Sequence, residues 1–193
     1  MSHRRFSSCG CGSCRPIEPL GMTGFSAQRP PSQQQTNFQL GNWVFNNSFY
    51  NGQGFDPVTG TYTVPETGRY SVKAIVSYRS TITLTVSIGS GVNPAFQIRK
   101  IGQTTPLISS LLPVINVGAV LLTLRAILGS ATVTLVGDLE LQKEEQIGLF
   151  FNSSGLNILL DIGGVETPGT IWSVHRIRSE EHTSELQSPS SIS

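Results

Sequence analysis

The chain has 193 residues, a formal net charge of +1, and 13% charged residues against 38% hydrophobic ones. That balance excludes a polybasic nucleic-acid binder and a charge-rich disordered chain, and the length suits one domain of ordinary size with a short arm. No stretch of ten or more residues keeps a clean helical period, whereas many short runs alternate, so the reading is all-β.

In chain order, residues 1–24 read as a flexible arm holding the only cysteines, Cys9, Cys11 and Cys14, in Cys-Gly-Cys-Gly-Ser-Cys. Three readings stay open: reduced thiols on a disordered arm, inter-chain cross-linking by an odd number of accessible thiols, and part of a zinc shell. The usual pair of C-x-x-C knuckles is absent, so no metal site is assigned and no cofactor is expected. His3-Arg4-Arg5 is followed by no apolar segment, so no secretory signal is read.

The domain spans residues 25–177. A first strand opens at Phe25-Ser26-Ala27, and the polar, Pro-rich Gln28–Gln35 reads as a long loop before strand character resumes from Phe38 to Phe45. Asp56-Pro57 with Thr59-Gly60, and then Pro65 with Gly68, mark two tight reversals. Alternation follows at Tyr70, Val72, Ala74, Val76 and Tyr78, and again at Ile82, Leu84, Val86 and Ile88.

Leu107 to Leu128 is the most apolar stretch. Pro113, Asn116, Gly118 and Arg125 interrupt it, which excludes a spanning helix. Two strands joined near Asn116-Val117-Gly118 account for it, buried on both faces or, preferably, against sister subunits. Further strands are expected at Ala131–Val136, Leu139–Leu141 and Thr170–Ile177, and Asp138 after Gly137 suggests a bulge. Arg178 to Ser188 resembles the in-frame translation of a common sequencing-library adapter. Pro189-Ser190-Ser191 has the length of an index barcode, and a natural hydrophilic tail is the other reading.

The run Phe55-x-Pro57-x-x-Gly60-x-Tyr62-x-x-Pro65-x-x-Gly68-x-Tyr70, after the Phe25-Ser26-Ala27 opening, resembles the globular head of the complement C1q/tumour-necrosis-factor family. Leu139–Leu149 is similar to that family's late strand–turn–strand, with Glu144-Glu145 where Gly-Asp is usual, and Thr170–Ile177 to its closing strand. The resemblance implies a ten-strand antiparallel jelly-roll sandwich working as a homotrimer. No Gly-X-Y stalk precedes it. An unsignalled head with a Cys/Pro arm is most similar to proteins of the outer spore layer, the exosporium, in spore-forming bacteria.

Catalytic motifs are missing: there is no G-x-S-x-G elbow, H-E-x-x-H helix, P-loop or dinucleotide fingerprint. His175 reads as a packed or interface histidine and Asp56 as a turn former. No dense oxygen-ligand loop for calcium is visible. Asn46-Asn47-Ser48 and Asn152-Ser153-Ser154 match a glycosylation pattern and read as turns. The expected function is non-enzymatic: a trimeric head on a spore surface or appendage, in contact with other coat or surface proteins and cross-linked through Cys9, Cys11 and Cys14. The alternative is a glycan- or protein-binding module, a phage fibre tip included, that uses the loops Gly89–Pro94 and Asn152–Leu156. Neither reading needs nucleic acid or a membrane span.

Overall fold

The computed structural model describes residues 23–46, 48–80, 88–89, 91–119, 122–163 and 169–177. The cysteine arm with Cys9, Cys11 and Cys14, the alternating run at 81–87 and the tail from 178 lie outside the described residues. The described chain is all-β. Its strand segments are β1 (Gly24–Arg29), β2 (Ser32–Gln35), β3 (Phe38–Gln39), β4 (Tyr50–Asn51), β5 (Phe55–Asp56), β6 (Thr61–Thr63) and β7 (Gly68–Ser80). They continue with β8 (Ala95–Lys100), β9 (Pro106–Leu111), β10 (Val114–Ala119), β11 (Leu122–Ile127), β12 (Ser130–Leu141), β13 (Gln146–Asn152), β14 (Leu159–Ile162) and β15 (Thr170–Arg176).

Two antiparallel sheets face each other. In the first, β7 is flanked by β12 on one side and by β15 and β14 end to end on the other; β1 and β4 extend from β15, and β2 from β14. The second runs β5-β6-β13-β8-β9, with β3 also on β13. The chain crosses from one sheet to the other between β6 and β7, β7 and β8, β9 and β12, and β12 and β13, which is the jelly-roll habit. Gln28–Gln35, expected as a loop, is instead strand on both sides of Pro30-Pro31. Proline has no N–H for a ladder, so the pair splits one long strand in two.

The alternation in β7 decides which faces meet. Tyr70, Val72, Ala74, Val76 and Tyr78 point into the core, while Arg69, Lys73, Ile75 and Arg79 point out. Opposite them stand Phe96, Ile98, Ile147, Leu149 and Phe151 of the second sheet. An aromatic nest closes one end of this core. Phe25 stacks on Phe55 at 3.6 Å between centroids and meets Trp172 edge-on at 4.9 Å.

The two Pro/Gly reversals form where the sequence puts them. The Asp56 carboxylate accepts hydrogen bonds from the Val58 N–H at 2.9 Å and the Thr59 hydroxyl at 2.7 Å, and Gly60 takes φ 70°. The turn at Glu144-Glu145 uses Glu144 at φ 68°, where glycine is the easier choice, and the Glu145 carboxylate accepts from the Gln142 N–H at 3.0 Å. Asn46 opens a turn as expected, with its carbonyl accepting from the Phe49 N–H at 2.8 Å, whereas Asn152 is the last residue of β13 and its Oδ1 accepts from the Ser154 N–H at 2.9 Å in the turn that follows.

Two expectations are corrected. No bulge occurs at Asp138, since β12 pairs with β7 in unbroken register from Ser130 to Leu141. Gly137 serves another purpose: a Cβ there would lie 2.8 Å from Ile108 Cδ1, so its bareness admits the Ile108 side chain from β9. The apolar stretch after Leu107 is three strands rather than two, and Asn116-Val117-Gly118 lies inside β10, held by pairing of Asn116 with Arg125 and Gly118 with Thr123. Nor is the stretch buried on both faces, because Leu107, Leu111 and Ile115 are exposed.

Candidate functional site: one sheet face and one end

Three surfaces stand out. The first is the outward face of the first sheet. Register aligns Gln28, Ile171, Ile75 and Thr134 in one row across β1, β15, β7 and β12, and Tyr50, Ser26, Ser173, Lys73 and Val136 in the next. Ile75 is 40% exposed and Val136 59%, on a face that carries mostly serine and threonine around Lys73. Lys73, beside Val136, and Asp138 also lie on this face, and further charges stand at its ends. Arg69 faces Glu140 at one end, and Arg79 pairs with Asp161 at 3.1 Å at the other.

Within this face, the Tyr50 hydroxyl lies 2.5 Å from His175 Nδ1. Burial, and secondarily the charge of Lys73, holds the His175 imidazole below its ordinary pKa, and burial raises that of Tyr50. Among the described residues, those acting on His175 are thus a phenol and a cation rather than a carboxylate that would orient it as a base. Asp138 stands in the same row, two strands away across Ser71. His175 is therefore the packed, face-lining histidine that its alternation suggests. Tyr50 had no signal in the sequence, because its role depends on β4 joining the sheet.

The second surface is the edge where β9 closes the second sheet beside β12. Leu107 is 37% exposed and Leu111 59%, and β9 carries no charged residue.

The third is the end of the sandwich beyond Ser80, Ala95 and Asn152. Here the structure brings together the two loops singled out in the sequence: the Asn93 N–H donates to Ser154 Oγ at 3.0 Å. Arg125 of β11 clamps the first loop. It donates to the Gly89 carbonyl at 2.5 Å, the Val92 carbonyl at 2.8 Å and Asn93 Oδ1 at 2.8 Å. Asn37 steadies the second loop by accepting from the Ser153 N–H at 2.7 Å. Sequence reasoning saw Arg125 only as a break in an apolar run, and no local pattern marks a residue whose partners lie more than thirty positions away. Among the described residues, no group of three or more His, Cys, Asp or Glu is placed to hold a metal, and no helix is long and apolar enough to cross a membrane.

No family model matches the chain, and no curated protein matches it. Among solved structures it is similar to the "Globular Domain of Zebrafish Complement 1qA protein", at 14% identity over 81% of this chain and 98% of that one, with a TM-score of 0.44. It is also similar to the "Structure of Eiger TNF from S. frugiperda", at 9% identity over 86% of this chain and 99% of that one, with a TM-score of 0.46. At these identities and scores neither structure bears on what this chain binds.

Proposed function

We propose that the chain is a non-enzymatic head that assembles with copies of itself, as a ring of three, into an outer layer such as that of a bacterial spore. The observation that carries this reading is the outward face of the first sheet, with Ile75 and Val136 exposed around Lys73 among small hydroxyl residues. A second, different apolar surface lies at the β9 edge, at Leu107 and Leu111. Unlike surfaces on one molecule favour a head-to-tail contact, which closes into a ring when the rotation allows. The number three comes from the sequence resemblance.

The ends of the molecule support a division of labour. β1 starts at Gly24, beside His175 and Ser71, while the clamped loops lie at the far end beyond Ser80. Arms carrying Cys9, Cys11 and Cys14 would leave a ring from one side and cross-link it to neighbours or other coat proteins in an oxidising exterior. The test is the mass of the full chain by light scattering, with and without reductant. A trimer in reductant that grows on oxidation supports the reading. A trimer indifferent to redox removes the cross-linking role, and a monomer at every concentration removes the ring.

A second reading, recognition of a glycan or protein, is favoured by the loop end alone. Arg125 fixes the loop at 89–93 against Ser154, which makes an ordered polar surface rather than a floppy one.

A further inference from the structure

The outward face of an antiparallel sandwich sheet ordinarily carries polar, solvated side chains, and the second sheet departs from this at one point. In β13 the inward residues are Ile147, Leu149 and Phe151, so Phe150 points outward, yet it is only 8% exposed and stands apart from the main core. Its row across the sheet is Gln39, Phe150, Gln97 and Ser109, and the next row is Thr61, Gly148 and Arg99. The Arg99 guanidinium lies over the Phe150 ring, with Cζ 4.0 Å from the centroid. Gln39 lies against Gly148, where a Cβ would come within 2.9 Å of both Gln39 Nε2 and Phe150 Cε2, and it donates to the Gly60 carbonyl at 3.2 Å and Thr61 Oγ1 at 3.0 Å. The result is a flat shelf of one ring, one guanidinium and two amides.

Covering a phenylalanine does not account for the rest of the cluster. Among the described residues, Arg99 has no carboxylate partner. Asp56, at the far end of its row, is taken by the Val58 N–H and the Thr59 hydroxyl, and Glu145 pairs with Lys100. Arg99 Nε is buried without a partner, whereas its two terminal nitrogens are neither buried nor bonded to a described group, so the end of the fork is open. Gln97, two residues along on the same face, is 8% exposed and its Oε1 is also buried without a partner. A buried acceptor left unmet beside an unneutralised cation costs stability, and such an arrangement calls for an explanation. The ladder is broken at the same place: Ile98 faces Ile108 but Arg99 faces Pro106, which leaves Leu107 as the extra residue of a bulge. Bulges re-aim side chains and are common beside sites.

We infer that Arg99 and Gln97 form a binding site for a sugar acid: the carboxylate of a uronic acid takes the open fork of Arg99, and a hydroxyl of the same sugar donates to the Gln97 amide oxygen, which turns outward to accept it. A guanidinium stacked on a ring is held in one plane and offers a planar carboxylate two parallel N–H bonds. One unpaired cation matches one negative charge, since the neighbouring Lys100 is already neutralised by Glu145. The groups around the fork are amides and hydroxyls, from Gln39, Thr61 and Ser109, which suit a sugar's hydroxyls. The apolar part of the shelf is covered by Arg99 itself, which leaves little for an apolar peptide side chain to bury. The site depends neither on the ring of three nor on the loops beyond Ser80.

The test is titration calorimetry of the full chain with sodium glucuronate, with glucose, which lacks the carboxylate, and with N-acetylaspartylamide, which carries a carboxylate without the sugar. Near-ultraviolet circular dichroism of the buried Trp43 and Trp172 reads the fold of each variant. The wild type is expected to bind glucuronate at least tenfold more tightly than either other probe. Arg99→Gln is expected to lose at least tenfold in glucuronate affinity, and Arg99→Lys nearly as much, because a lysine keeps the charge but not the fork. Arg79→Gln, which removes an equal charge from the other sheet, leaves the affinity within about twofold. Gln97→Leu weakens glucuronate by about threefold or more and leaves N-acetylaspartylamide unchanged. Should Arg99→Gln disturb the fold signal, Arg99→Lys carries the comparison. Absence of glucuronate binding by the wild type overturns the inference, as does binding that survives in both Arg99 variants. Equal affinity for glucuronate and N-acetylaspartylamide overturns it in favour of an acidic peptide.

Discussion

Single residues here do their work through what they touch across the chain, and glycines divide accordingly. At Gly60 a Cβ would lie 2.0 Å from the Leu40 carbonyl oxygen, which also accepts from Trp43 Nε1, and φ is positive at 70°. Gly60→Ala is expected to cost at least about 2 kcal/mol, read as a lowered denaturant midpoint with unchanged slope. At Gly137 the obstacle is the far end of one side chain, so Gly137→Ala costs about 1 kcal/mol or less, and Ile108→Val in the same chain recovers most of it. The first role was legible, since Asp56-Pro57-Val58-Thr59-Gly60 is turn chemistry written locally. The second was not, because Gly137 answers to a residue in the other sheet. His175 belongs to the same scale. Its folded pKa lies below the ordinary 6.5, so the unfolded chain binds the proton more readily. This contribution to stability is fully present above pH 6.5 and is lost as pH falls from there toward the folded value. Thermal melts at pH 7.5 and about pH 5.5 should show that loss in the wild type and a smaller one in His175→Gln.

At the scale of elements, alternation exposed the strands and local chemistry misplaced a turn. Asn116-Val117-Gly118 has turn-forming residues, yet the pairing of β10 with β11 draws them into a strand. Propensity is a weak guide where a cross-strand partner is available. The exposure of Leu107, Leu111 and Ile115 removes the reading in which this stretch is buried on both faces within one chain. Arg125 ties this element to the loop end. Arg125→Ala removes a side chain that reaches three acceptors on the loop at 89–93 and is expected to destabilise the fold by about 1–3 kcal/mol. Hydrogen exchange should rise most at Ile88, whose N–H donates to the Arg125 carbonyl, and at Asn93. Equal protection in mutant and wild type would mean that the loop is held by other contacts.

For the whole molecule, the all-β sandwich followed from period-two patterning and turn spacing, while the distribution of exposed apolar surface needed the sheets to be assembled first. Ile75 and Val136 sit in ordinary alternating strands, and only the pairing of β7 with β12 places them near each other. Ile75→Lys with Val136→Lys is expected to give a folded monomer by light scattering, with the double change weakening association at least a hundredfold. A double variant that remains a trimer would move the subunit contact elsewhere. The position of β15 has a further consequence. It lies between β1 and β7, at the centre of the first sheet. A ribosome making this chain therefore delivers an interior strand after all the other described ones. Until Thr170–Arg176 emerges, β1 and β7 each keep an open edge, and the core lacks Trp172 and Val174. The nascent chain must wait, its sheet divided, and then zip shut over a distance of more than a hundred residues in sequence, which places folding in the slow, millisecond-to-second class and makes the interval before this strand emerges its most aggregation-prone moment.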